Sequence, residues 1–334
     1  MIDDLQYGTR NKRGDWKPSS PIALPPLVRS KRTINLAGWL LSFVWPWNLI
    51  TLGLTVLLWS LATPSIKTMQ TLSLGWIVPL FFTNWLALFA WFGGWEFVLY
   101  RKRVQQRRFK YNGTFPSDKP AAYFWFNDQN IDNFIRSMFI SVPIMVAMEV
   151  CALWLFANGW GSIEFVTEHP ILFALLLVFI PVLHEAYFFF VHWFMHWEPF
   201  YQWCHSIHHN SINPSPWTSM SNHPIETVLQ FLPFVIWIPL CPFLALYHLN
   251  TVALSSVLGH IGFEKIEINE KTAWSTHAYP HYLHHKHFDV NYCDDGYLPW
   301  DRWFGTWHDG TAEGEQLMQE RFKTKAARKN SRTA

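Results

Sequence analysis

Residues 171–191 read ILFALLLVFIPVLHEAYFFFV and continue without a break into His192-Trp193-Phe194-Met195-His196. A helix needs about 20 apolar residues to cross about 30 Å of hydrocarbon, and this run supplies them. It then delivers two histidines, four residues apart, on one helical face at its far end. This segment predicts a membrane helix that carries a chemical site at its terminus.

Outward from it, three more apolar runs of spanning length cover 37–62, 72–100 and 134–157. A fifth stretch, 225–259, is interrupted by Pro233, Pro239 and Pro242 and reads as a helical hairpin that enters the bilayer and returns, because proline breaks a helix. The fold class expected is all-α, a multi-pass membrane bundle with a histidine-rich cytoplasmic cap. Its parts would be a cytoplasmic N-terminal segment (1–33), helices with connecting loops (34–169), a domain with the metal site (170–310) and a polar basic tail (311–334).

Composition agrees: half of the 334 residues are apolar, 18% are aromatic and only 15% are charged, against about 25% in a soluble domain. A formal charge of +2 makes no case for nucleic acid as a partner. Arg29, Lys31 and Arg32 precede the first run, and Arg101, Lys102, Arg103, Arg107, Arg108 and Lys110 follow the second. The loops after the first and third runs are nearly free of Lys and Arg, so the positive-inside rule sets the N-terminus, residue 192 and the hairpin ends on the cytoplasmic side. A cleavable signal peptide is not expected, since the first 33 residues are polar and proline-containing. Cys151, Cys204, Cys241 and Cys293 show no metal or disulfide spacing.

Thirteen of the 16 histidines lie between residues 184 and 285. Three groups repeat one geometric idea: His192-x3-His196, His205-x2-His208-His209 and His281-x2-His284-His285. Residues three or four apart share a helix face, so each group can aim two or three imidazoles at one point. Eight imidazoles exceed the four ligands of one tetrahedral metal, which suggests two metals. Imidazole suits iron, copper, nickel and zinc alike, so the ligand type does not name the metal. His260, at the hairpin's return, is expected as a ninth ligand. His223 is a candidate for an extra ligand, with a structural cap or supporting contact as the rival role, His277 for a supporting contact or an extra ligand, and Glu185, seven residues before His192, for a carboxylate that orients a ligating ring. His184, His287 and His308 are weaker candidates, and His169 and His248 read as interfacial. Glu149, a carboxylate inside an apolar run, is either functional or a partner for a neighbouring helix.

Rival chemistries fail on spacing. His184-Glu185 opens like an HExxH zinc motif, but Phe188 stands where the second histidine belongs. There is no Glu-x-x-His pair, GxSxG elbow, P-loop or GxGxxG. A membrane zinc-dependent hydrolase and, less readily, a metal transporter remain the alternatives to an oxidative enzyme.

These residues resemble the integral-membrane fatty acid hydroxylase and sterol desaturase superfamily. The resemblance rests on the three histidine groups, the Asn222-His223-Pro224 step, His260, and the closing Asn291-Tyr292 with Trp300-Asp301-Arg302-Trp303-Phe304-Gly305-Thr306, across about 170–310. It implies a cytoplasmic di-iron centre, with zinc as a substitute metal, and dioxygen as co-substrate. The reaction implied is hydroxylation or desaturation of an unactivated C–H bond in a membrane lipid such as a sterol, fatty acyl chain or sphingolipid. His192, His196, His205, His208, His209, His260, His281, His284 and His285 would be the ligands. Trp193, Phe189 and Cys293 stand where the family commonly has Arg, Tyr and Gly; none removes a ligand, and Trp193, Phe188 and Phe189 are expected near the lipid's path. No fused HPGG-type heme domain is present, which implies a separate electron-transfer protein. Bacterial inner membrane and endoplasmic reticulum both fit the C-terminal residues, which carry no KDEL-type signal.

Overall fold

The computed structural model describes residues 2–25, 28, 36–116 and 120–333. Arg29, Lys31 and Arg32, on which the orientation of the first run depends, lie outside them. Two short strands open the chain, β1 (Gly8–Arg10) and β2 (Trp16–Pro18), paired antiparallel with Thr9 opposite Lys17. Helix α1 (Leu36–Phe43) follows, and then four helices long and apolar enough to cross a membrane: α2 (Val44–Ala62), α3 (Leu74–Arg101), α4 (Gln129–Trp160) and α5 (Pro170–Met195).

The first apolar run is therefore two elements. It breaks at Trp45, whose extended backbone (φ −103°, ψ 135°) is what a residue before proline prefers. The third run starts five residues earlier than its apolar stretch, because the side chain of Asp128 accepts the N–H groups of Asn130 and Ile131 and so caps α4. Inside the bundle, Asn84 on α3 donates to Glu149 on α4 at 2.9 Å, which makes Glu149 a helix-to-helix contact.

The proline-broken hairpin is present. Helix α7 (Pro224–Phe231), numbered after the one-turn helix α6 (Ser206–His209), gives way at Leu232 to a 3-10 segment containing Pro233. Helix α8 (Pro242–His260) then begins with Pro242 in its first turn, where a missing N–H costs nothing. His248, expected at an interface, is instead fully buried in α8.

A second hydrophobic cluster forms the cap. Trp16, 1% exposed, packs edge-on against Phe109, and Tyr111 stacks on Tyr282. Strands β3 (Lys265–Glu267) and β4 (Ala273–Ser275), helices α9 (Tyr279–His287) and α10 (Trp300–Trp303), and the final helix α11 (Ala312–Thr333) complete it. The polar stretch expected as a tail is thus helical, and Arg321 ties it back by donating to the Gly305 carbonyl. All four cysteines are free.

Candidate metal centre

The histidines come from four places in the chain: the end of α5, α6 with the residue before it, the end of α8, and α9, which contributes from two faces. They form two adjoining groups. In the first, ligand nitrogens of His192, His196, His205, His209 and His284 all lie within 4.8 Å of one another; in the second, those of His208, His260, His281 and His285 do. All but His196 are buried. The groups abut, with the His209 and His285 rings 4.8 Å apart.

Each HxxHH group divides in the same way. His205 and His209, four apart, face the first group while His208 crosses to the second; His281 and His285 face the second group while His284 crosses to the first. Two short helices thereby supply both groups at once.

The protons on these rings can be placed from their partners. His192 Nδ1 donates to the Tyr292 carbonyl (2.5 Å), His205 Nδ1 to Glu226 (2.8 Å), His284 Nδ1 to the Val290 carbonyl (2.6 Å) and His260 Nδ1 to the Ser256 carbonyl (2.7 Å). Burial, with the neighbouring imidazoles second, lowers the pKa of His205 to about 3, and burial lowers that of His281 to about 4. His208, His209, His284 and His285 are lowered for the same two reasons. A neutral imidazole with its proton on Nδ1 has a bare lone pair on Nε2. His192 Nε2 and His205 Nε2, both bare, nevertheless lie 3.0 Å apart. Two lone pairs at that distance repel unless a cation lies between them. Adjacent ligands at about 2.1 Å from one metal are about 3 Å apart, so the donor set fits a bound metal ion.

The supporting contacts differ from expectation in instructive ways. Glu226, in the first turn of α7, is the carboxylate that orients a ring, and its neighbour His223 takes the role of a cap on α7 by accepting the Ile225 N–H. Glu185 does not reach a histidine. Its two oxygens accept the N–H groups of Tyr297 (2.6 Å) and Leu298 (2.8 Å), so it holds the loop that follows α9. Seven residues of helix separate it from His192 by about 10.5 Å, beyond a carboxylate's reach. His277 has a left-handed backbone (φ 55°) just before α9 and belongs to neither group. Asp301 accepts from the N–H groups of Tyr292, Cys293 and Asp294, and thereby fixes the carbonyl that holds His192.

Two smaller clusters are structural. The carboxylates of Asp295 and Asp301, near Cys293, are engaged by backbone N–H groups. In His287, His308 and Glu315, His308 Nδ1 accepts from Gly310, so its proton is on Nε2 facing Glu315 at 3.4 Å, a tie between the cap and α11. Among the aromatics expected near the lipid path, Phe188 lines the cavity beside His192 and His205, Phe189 is buried against Tyr292, Trp300 and Phe304, and Trp193 is half exposed.

Residues 176–306 match the family model described as fatty acid hydroxylase. That region is therefore similar to the fatty acid hydroxylase and sterol desaturase superfamily. The matched domain holds all nine clustered histidines. Similar curated proteins include the Delta(7)-sterol 5(6)-desaturases ERG3B and ERG3A of Gibberella zeae. The first is 26% identical over 44% of this chain and 48% of its own length, the second 30% identical over 54% and 51%. Methylsterol monooxygenase 1 of Gallus gallus is 26% identical over 43% of this chain and 50% of its own. The chain thus spans about half the length of the curated relatives it matches. No solved structure matches it.

Proposed function

We propose that this chain is an integral-membrane oxidoreductase that oxidises an unactivated C–H bond of a membrane lipid with dioxygen, by hydroxylation or desaturation. The observation that carries the reading is the pair of bare Nε2 lone pairs on His192 and His205, 3.0 Å apart within a buried five-imidazole group that adjoins a four-imidazole group. His192, His196, His205, His209 and His284 would hold one iron, and His208, His260, His281 and His285 a second. Bound iron supplies the redox chemistry by which dioxygen is reduced and a C–H bond is attacked.

The chain's own residues bind and orient. Tyr292, Val290, Ser256 and Glu226 fix the tautomers of His192, His284, His260 and His205 so that their Nε2 lone pairs point into the two groups. The buried shell excludes water, and Phe188 forms an apolar wall against which a lipid's reacting carbon can rest. A lipid substrate follows from the sterol-oxidising relatives and from a site at the end of a membrane helix. A cytoplasmic site, in a bacterial inner membrane or the endoplasmic reticulum, and a separate electron-transfer protein complete the proposal.

Lipidomics of cells with and without the chain tests it. One lipid class gaining an oxygen or losing two hydrogens is expected, with iron in the purified protein. Zinc alone, with an activity independent of dioxygen, would replace this reading by the hydrolase.

A further inference from the structure

His184 lies eight residues before His192 on α5, near the middle of that span, and belongs to neither metal group. Its contacts determine where its proton is. The indole N–H of Trp237 can only donate, so His248 Nδ1, 2.7 Å away, is the acceptor. The remaining ring proton of neutral His248 is on Nε2 and donates to His184 Nδ1 at 3.1 Å. His184 therefore carries its own proton on Nε2. Three polar side chains in the apolar part of the molecule form a one-way relay that ends in a single N–H donor.

Trp237 and His248 are buried, 4% and 0% exposed, whereas His184 is only half-buried. No described residue accepts the His184 Nε2 proton. An unsatisfied donor in hydrocarbon is costly, and tying α5 to α8 would require only the His184–His248 bond. Trp237 adds direction: it forces the last proton outward.

The same helix face leads to the metal centre. The His184 ring stacks on Phe188 (6.0 Å, 20°) and Phe188 stacks on His192 (4.7 Å, 28°). Phe188 also lines the cavity between the histidine groups. Eight residues of α-helix set His184 about 12 Å from His192.

We propose that His184 Nε2 donates a hydrogen bond to an uncharged oxygen of the lipid substrate, and so selects the carbon that reaches the metal centre. This inference rests on the proposed lipid oxidation. The oxygen is a hydroxyl, ketone or ester carbonyl, since a charged group at mid-span would be far too costly. It lies about two helical turns along α5 from the carbon that reacts, so the substrate is a lipid with its acceptor oxygen remote from the oxidised C–H bond.

Equilibrium lipid binding to the iron-loaded full chain in nanodiscs tests this, with two probe pairs that each differ by oxygen: cholestanol against cholestane, and methyl palmitate against heptadecane. The wild type is expected to prefer the oxygenated member of one pair by about tenfold, and the preferred pair identifies the source of the oxygen. His184→Asn keeps an acceptor for His248, but its amide N–H stops short of the Nε2 position, so it should erase the preference at unchanged metal content. His184→Gln, whose amide N–H reaches near the position of Nε2, should retain most of it. Trp237→Phe reads the relay from its other end, and should weaken the preference, if His184→Asn does not fold. Absence of preference in the wild type, or its undiminished survival in His184→Asn or, where that variant does not fold, in Trp237→Phe, overturns the assignment. Because the readout is binding, it is separate from lipid oxidation: an iron-loaded wild type that oxidises no lipid would overturn the functional reading instead.

Discussion

The Glu226 carboxylate accepts the Nδ1 proton of His205 at 2.8 Å, and that bond turns His205 Nε2 to within 3.0–3.1 Å of the ring nitrogens of His192, His196 and His209. One carboxylate thus orients the ring at the centre of the five-histidine group. Glu226→Ala should weaken metal binding there by about 10- to 100-fold, as loss of such a supporting contact does elsewhere. The four-histidine group should keep its metal. Chelator competition followed by metal analysis separates the two.

His208 and His209 are neighbours in sequence but serve different groups. His208→Ala and His209→Ala should each remove about half of the bound metal, and the double variant nearly all of it. If either single change empties both positions, the division into five and four is wrong.

Glu185 satisfies two backbone N–H groups of the loop after α9. Glu185→Ala leaves both without an acceptor, at a cost of about 1–3 kcal/mol each. Glu185→Gln retains one acceptor oxygen and should cost about half as much. Thermal unfolding in detergent, with a fall of several degrees in Tm for the alanine variant, checks the order.

Removal of metal should destabilise the cap. Without a cation, the bare nitrogens of His192 and His205 face each other at 3.0 Å. Stripped protein should therefore unfold at lower temperature, and added Fe(II) or Zn(II) should restore stability by about 2.7 kcal/mol at one hundred times its Kd. A Tm that does not respond to metal would argue that the clustered rings are not a binding site.

The spans were legible because a run of about 20 apolar residues has few alternatives, and the histidine groups because their spacing matches a helical turn. What escaped has physical reasons. Strands β1 and β2 have three residues each, too short for an alternating pattern to register, so the role of Trp16 in the cap went unseen. The sharing of histidines between groups depends on the relative rotation of α6 and α9, which tertiary packing sets. Glu226 lies two residues beyond the Asn222-His223-Pro224 step, yet its role followed only once α7 was seen to start at Pro224, making His223 the cap and giving Glu226 the inward position. Glu185 was on the correct face but at the wrong height along the helix.

Asp301 holds the loop whose Tyr292 carbonyl fixes His192, while His284 and His285 come from α9. Both metal groups are therefore closed by residues that follow the hairpin. During synthesis, α5, α6 and the hairpin leave the ribosome before His281, His284 and His285 do. Ligands gathered by then number four in one group and two in the other. Neither group is whole until α9 has been made, so metal loading must follow the synthesis of α5, α6 and α8, and a chain cut short after α8 would lack a finished centre.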